Sequence, residues 1–262
     1  MKWFAVRRLF RSSKKKSSSR SKVRSAAAER GPWRKRLRWS FQLLLLGIVV
    51  DIFYLSMIWP NWDTIAKGHL PKSQFILAYE QKRQLNPSLP RLRWQVVPYS
   101  QLSQHLSRSV VVAEDARFYT HRGFDLQALR EAFEYNIASG QASFGASTIS
   151  QQTVKNLFLS SSRNPLRKWH ELILTVGMEF KLSKRQILWL YLNIAEFGEG
   201  IYGAEAAAQH YWGIPAAQLS LQQAIELAAS LPSPRKDNPA TRSKRFQARI
   251  DKIYRYFMLR YY

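Results

Sequence analysis

The longest apolar run in the chain is Leu43-Leu44-Leu45-Leu46-Gly47-Ile48-Val49-Val50, inside a mostly apolar segment at residues 39–60. About 20 apolar residues cross a bilayer as a helix, so this segment predicts a single transmembrane anchor. Beyond residue 99 the apolar positions recur at helical rather than alternating spacing. Asp125 caps a predicted helix carrying Leu126, Leu129, Phe133 and Ile137 and ending at Gly140. Asn164 before Pro165 starts another, with Leu166, Trp169, Ile173, Val176 and Phe180 on one stripe. Ser183 to Gln186 and Ser220 to Gln223 each read as a capping box. Strand patterns are scarce and no internal repeat is visible. The pattern predicts a mainly α domain.

Between anchor and domain, residues 61–98 mix five prolines of the 60–98 stretch with short apolar runs and read as a connector. The expected organisation is a basic tail at 1–38, the anchor at 39–60, the connector at 61–98 and one domain at 99–262. With 262 residues, a core needs no covalent staples, and the absence of cysteine excludes disulfides and thiolate metal sites. Formal net charge is +24, which calls for a polyanionic partner. Residues 1–38 hold 15 Lys/Arg against the single acid Glu29, and the composition of a disordered tail. That excess predicts a cytoplasmic N-terminus, tail attachment to anionic lipid, and the remainder outside the cytoplasm. No aromatic platform accompanies the charge, so nucleic acid is not the expected partner. Flanking Trp39, Trp59 and Trp62 suit the two interfaces, while Asp51 costs roughly 2.5–3.5 kcal/mol if charged at the helix centre.

Candidate chemistry is concentrated after the run Val110-Val111-Val112-Ala113, which ends in Glu114-Asp115. Carboxylates next to core residues lose hydration unless partners replace it. Thr148, Gln152 and Lys155 fall on one helix face and offer a hydroxyl, an amide and an ammonium. Arg167 and Glu171 are spaced i, i+4; taken alone they are an ordinary surface ion pair.

Four blocks then resemble the peptidoglycan glycosyltransferase family in content and order. They are Glu114-Asp115-x-x-Phe118-x-x-His121-x-Gly123; Gly145-Ala146-Ser147-Thr148-x-x-Gln151-Gln152-x-x-Lys155-Asn156; Arg167-Lys168-x-x-Glu171; and Lys184-x-x-Ile187-Leu188-x-x-Tyr191-Leu192-Asn193. The resemblance covers about 99–238, and the run Ile194-Ala195-Glu196-Phe197-Gly198 is most similar to the monofunctional biosynthetic enzymes. Ala146 and Trp212 depart from residues usual in the family, at positions with no expected catalytic role.

The resemblance implies a lysozyme-like, two-lobed helical domain that polymerises lipid II into β-1,4 glycan strands. It makes Glu114 the base for the acceptor sugar hydroxyl and Glu171 the second essential carboxylate. A pyrophosphate departs without being protonated, so cations rather than a general acid are required. Asp115, Ser147, Thr148, Gln152, Lys155, Arg163, Arg167 and Asn193 are the expected substrate-binding residues, with Lys168 a lesser one. Phe118, His121, Gly123 and Tyr191 are expected to be structural, His121 by fixing the loop behind Glu114. Desolvation and the like charge of Asp115 are expected to raise the proton affinity of Glu114. No tightly bound cofactor is expected; a divalent cation, Mg or Mn, on Glu171 is compatible with the reaction. Expected partners are lipid II, the growing glycan, the membrane and proteins of cell division or elongation, at the bacterial inner membrane with a periplasmic domain. Residues 136–144 are expected as a lipid-facing loop. A lytic enzyme is the alternative, and it would not call for Lys155, Arg163 and Arg167. A bifunctional penicillin-binding protein would need a Lys-Thr-Gly motif, which is absent, and more chain after Asn238.

Overall fold

The computed structural model describes residues 32–140, 145–162 and 164–262, which form two compact units divided between Met57 and Ile58. The basic tail at 1–31 and Arg163 lie outside the described residues.

The described part of the first unit is the helix α1 (Pro32–Ile58) up to Met57; the helix has 27 residues and is therefore about 40 Å long, and its apolar side chains are exposed from Trp33 to Tyr54, with Leu55 buried. It is long and apolar enough to cross a membrane. It starts seven residues before the expected anchor, so residues 32–38 are helical rather than part of a disordered tail. Pro32 supplies a preset φ at the first turn, and the Trp-Arg-Lys-Arg-Leu-Arg stretch behind it contains good helix formers.

The second unit is helical with a small sheet. Its helices are α2 (Trp62–Ala66), α3 (Gln74–Leu85), α4 (Gln104–Glu114), α5 (Leu126–Ser139), α6 (Ile149–Phe158), α7 (Pro165–Lys181), α8 (Lys184–Ile194), α9 (Ala204–Trp212), α10 (Leu221–Ser230) and α11 (Lys244–Tyr261). Strands β1 (Arg93–Trp94), β2 (Glu196–Gly198) and β3 (Ile201–Tyr202) pair in the order β1-β3-β2, with β1 parallel and β2 antiparallel to β3. The mainly α expectation therefore agrees with the fold. The start signals also act as expected: Asp125, Asn164, Ser183 and Ser220 accept from the first-turn N–H groups, and the last two complete capping boxes.

Residues 61–98 are more than a connector. Trp62, Ile76 and Tyr79 are buried, and Arg93 donates its backbone N–H to Gly200 at the sheet. The prolines misled the reading because they sit between these short elements, where a missing N–H costs nothing. The main core joins α4, α6, α8, α10 and α11 through residues such as Leu106, Val110, Val154, Leu188, Leu190, Ile225, Leu227 and Phe246.

Two helices break the usual amphipathic rule. In α5 the stripe Leu126, Leu129, Phe133 and Ile137 is exposed, and only Ala132 is buried. In α7 the residues buried are His170, Glu171, Leu174, Thr175 and Met178, while Leu166, Trp169, Val176 and Phe180 face outward. The stripe of α7 is thus placed opposite to the core. Leu126, Leu129, Ser147, Lys168, Trp169 and Ile173 help line a groove of about 650 Å³ between these helices. The expected loop at 136–144 is instead helical to Ser139, closed by Gly140 at φ +63°; residues 141–144 lie outside the described residues.

Candidate active site

Glu114 and Asp115 part company because α4 ends between them. Glu114 is the last helical residue, while Asp115 is extended at φ −160° and its carboxylate goes elsewhere. Asp115 accepts from His121 Nε2 at 2.9 Å and from the Ile149 N–H at 3.0 Å, at the start of α6. Its negative charge suits that helix N-terminus. Buried there, Asp115, an expected substrate contact, has its carboxylate engaged in joining two segments of the chain. His121, through this bond to Asp115, links the turn after α4 to its own loop.

Glu114 faces the other way. Its Oε1 accepts from Arg249 Nη2 at 2.7 Å and its Oε2 accepts from Gln152 Nε2 at 2.8 Å. Tyr191, fully buried, donates its hydroxyl to Gln152 Oε1 at 3.0 Å. A phenol donating to the amide oxygen turns the amide nitrogen toward Glu114, so the chain from Tyr191 to Gln152 to Glu114 is polar from end to end. Burial keeps Tyr191 well above its ordinary pKa and hence a donor. Tyr191 is packed in the core, and Gln152, an expected substrate contact, is hydrogen-bonded to the Glu114 carboxylate.

Burial pushes the Glu114 carboxyl above the ordinary range, against the opposing pull of Arg249, Gln152 and Lys155. The expected desolvation is present. The expected like-charge push from Asp115 is not among the main causes, because Asp115 is turned away and cations stand nearest.

A second cluster forms around Glu171, which is 2% exposed. Arg167 Nη1 reaches its Oε2 at 2.7 Å and Lys168 Nζ bonds its Oε1. Lys155 connects the two clusters: burial depresses its pKa, the negative charges of Glu171 and Glu114 raise it, and Arg167 and Lys168 lower it further. The arrangement therefore has one buried carboxylate beside a group of cations, with the other carboxylate neutralised among them.

The metal expectation does not fit this donor set. Both Glu171 oxygens are taken by cations, and an added divalent ion would meet Lys155, Arg167 and Lys168. Asp115, His121 and Asp125 place one candidate ligand atom each within 4.8 Å of one another. Their oxygens are engaged by His121, Ile149, Arg117 and Ala128, which makes the group a hydrogen-bonded knot.

Three more expectations need correction or refinement. Thr148 was expected on substrate, but it is buried, caps α6 in a capping box with Gln151 and donates to the Gly123 carbonyl at 2.7 Å. Asn193 was the other, and it is fully buried. Its Oδ1 accepts from the Val97 N–H at 2.9 Å and its Nδ2 donates to Trp189 O at 2.9 Å, so it secures residues 94–97 to α8. Ser147 is exposed and lies on the groove with Lys168. Gly123 has φ +89°, and a Cβ there would come within 2.8 Å of Thr175 Cγ2. Phe118 is core, with Lys184 Nζ 4.6 Å from its ring centroid.

The residue that sequence reasoning missed is Arg249. It comes from α11, 135 positions after Glu114, on the stripe whose buried members are Phe246, Ile250, Ile253 and Phe257. An arginine at the i+3 position of an otherwise apolar stripe was the available signal.

A family model described as Transglycosylase matches residues 82–257. Proteins named biosynthetic peptidoglycan transglycosylase are similar along most of their length. That of Nitrosospira multiformis is 42% identical over 201 residues, covering 76% of this chain and 86% of its own. That of Ralstonia nicotianae is 52% identical over 208 residues, covering 76% and 86%, and that of Laribacter hongkongensis 47% over 193, covering 72% and 84%. With its helical fold, its paired carboxylate clusters and these matches in agreement, the chain belongs to the transglycosylase family of enzymes.

Proposed function

We propose that the protein polymerises lipid II into linear β-1,4 peptidoglycan strands and releases undecaprenyl pyrophosphate. The observation that carries the reading is the separation of charge in the site. Glu114 is a buried carboxylate of raised proton affinity, held in place, while the neighbouring groups that could serve a departing anion are cations.

Glu114 takes the proton of the acceptor GlcNAc 4-hydroxyl as that oxygen attacks the donor anomeric carbon from the face opposite the phosphate. The new glycosidic C–O bond forms as the bond to the pyrophosphate breaks, with inversion at that carbon. Negative charge gathers on the pyrophosphate oxygens, where Lys155, Arg167 and Lys168 stabilise it. Glu171 keeps Arg167 and Lys168 in place. No acid is needed for the leaving group, in contrast to glycoside hydrolysis, where a carboxylic acid protonates the departing sugar oxygen.

The helix α1 and the outward apolar stripes of α5 and α7 support action at a membrane, where a lipid-linked substrate resides. The proposed setting is the bacterial inner membrane, with a cytoplasmic N-terminus and the enzymatic domain on the periplasmic side, near division or elongation proteins. The test is incubation of the full-length protein with lipid II in detergent. Strands that a muramidase digests are the expected product, and Arg167→Gln is expected to slow their formation at least tenfold. Disaccharide hydrolysis without strands would overturn the reading.

A further inference from the structure

The base is held by a helix that none of the four sequence blocks includes. Arg249 Nη2 lies 2.7 Å from Glu114 Oε1, and its side chain is 33% exposed against 11% for Glu114. We propose that Arg249 is a positioning residue for the reaction, fixing both the orientation and the charge of the Glu114 carboxylate. The inference rests on the reading of Glu114 as base.

A buried carboxylate left alone takes up a proton, and a protonated Glu114 accepts nothing from a sugar hydroxyl. Something must favour the ion without removing its basicity. A guanidinium meets that need because it stays charged at any working pH, whereas a neutral amide such as Gln152 supplies a hydrogen bond and no charge. The other groups around Glu114 do not replace it. Lys155 on α6 is the next cation and is itself shared with Glu171; Tyr191 on α8 is neutral and reaches Glu114 only through Gln152. On α10, packed against α4, Glu226 is engaged by Gln222, and Asp115 with His121 forms the separate knot beyond the end of α4.

The position of Arg249 is set by packing. Phe246, Ile250 and Ile253 on either side of it are buried, so the helix cannot roll without exposing them. The two hydrogen bonds to Glu114 come from separate helices, one oxygen each, which fixes the carboxylate plane.

The experiment is the pH dependence of the initial polymerisation rate for the full-length wild type, Arg249→Gln and Arg249→Lys in detergent, with thermal unfolding of each. Arg249→Gln is expected to lower the rate at pH 7 about tenfold or more and to move the acid limb up by about one pH unit, so that the deficit shrinks as pH rises. Arg249→Lys retains a cation and moves the limb less. An acid limb that stays in place while the rate falls equally at every pH would overturn the proposal, leaving Arg249 as a substrate contact or a structural residue. If Arg249→Gln does not fold, Arg249→Met, which keeps the length of the stem and removes the charge, takes its place: an acid limb identical to wild type with a uniformly lower rate is again the contrary result. Retention of activity by Glu114→Gln is a different failure, since it removes the base assignment itself.

Discussion

At the scale of single residues, the site divides side chains of one chemical type into different tasks. Glu114 and Asp115 are adjacent, yet the end of α4 sends one to Arg249 and Gln152 and the other to His121 and the start of α6. Gln152 and Asn193 are both amides in sequence blocks of similar polarity, yet one bonds the Glu114 carboxylate and the other ties backbone together. For Asn193 the consequence is measurable. Asn193→Ala leaves the buried Val97 N–H without its acceptor, and is expected to cost about 1–3 kcal/mol of stability in denaturant unfolding. The KM for lipid II should stay within twofold for the protein that remains folded. A raised KM with unchanged stability would restore Asn193 to the substrate side.

At the scale of elements, helix existence and caps were legible because start signals are local. Asp125, Asn164, Ser183 and Ser220 satisfy N–H groups within the next three residues, and nothing distant needs to be known. Which face a helix buries was not legible in the same way. Periodicity locates a stripe but not what covers it, and α5 and α7 turn their stripes outward. Arg249 was missed for a related reason, since its pairing with Glu114 spans 135 residues and exists only after α11 packs against α4. The outward stripe of α7 leads to a prediction at this scale. Val176→Ser with Phe180→Ser, at positions 55% and 85% exposed, is expected to leave thermal stability within about 1 kcal/mol. In lipid vesicles the turnover of lipid II should fall several-fold, while in detergent it should match wild type. Equal turnover in both media would show that the stripe has no role at the membrane.

At the scale of the molecule, the two clusters set opposite limits on pH. Under the proposed reaction Glu114 acts ionised; its carboxyl is raised above the ordinary value, so activity is expected to be lost as pH falls through that raised value. Under the same proposal Lys155 acts charged; its pKa is depressed by burial first, so activity is expected to be lost as pH rises through that lowered value. A bell-shaped rate profile is expected, narrower than one bounded by ordinary Glu and Lys values; a plateau extending to pH 10 would remove Lys155 from the charge assignment. The same shift bears on stability. A carboxyl raised in the folded state contributes stability below its unfolded pKa and loses it as pH rises through the folded one. At neutral pH the ionised Glu114 therefore costs the fold something, in the manner of a site kept for function. A neutral amide of the same shape should not lower the melting temperature there.

The central claim is that a single base, Glu114, activates the acceptor and that cations alone serve the leaving group. Its most direct test is the initial rate of glycan strand formation from lipid II by Glu114→Gln at pH 7, alongside its melting temperature. The expected rate is lower by about a thousandfold or more, within the range for removal of a general base, with a melting temperature no lower than wild type. A rate within tenfold of wild type from the folded variant would contradict it.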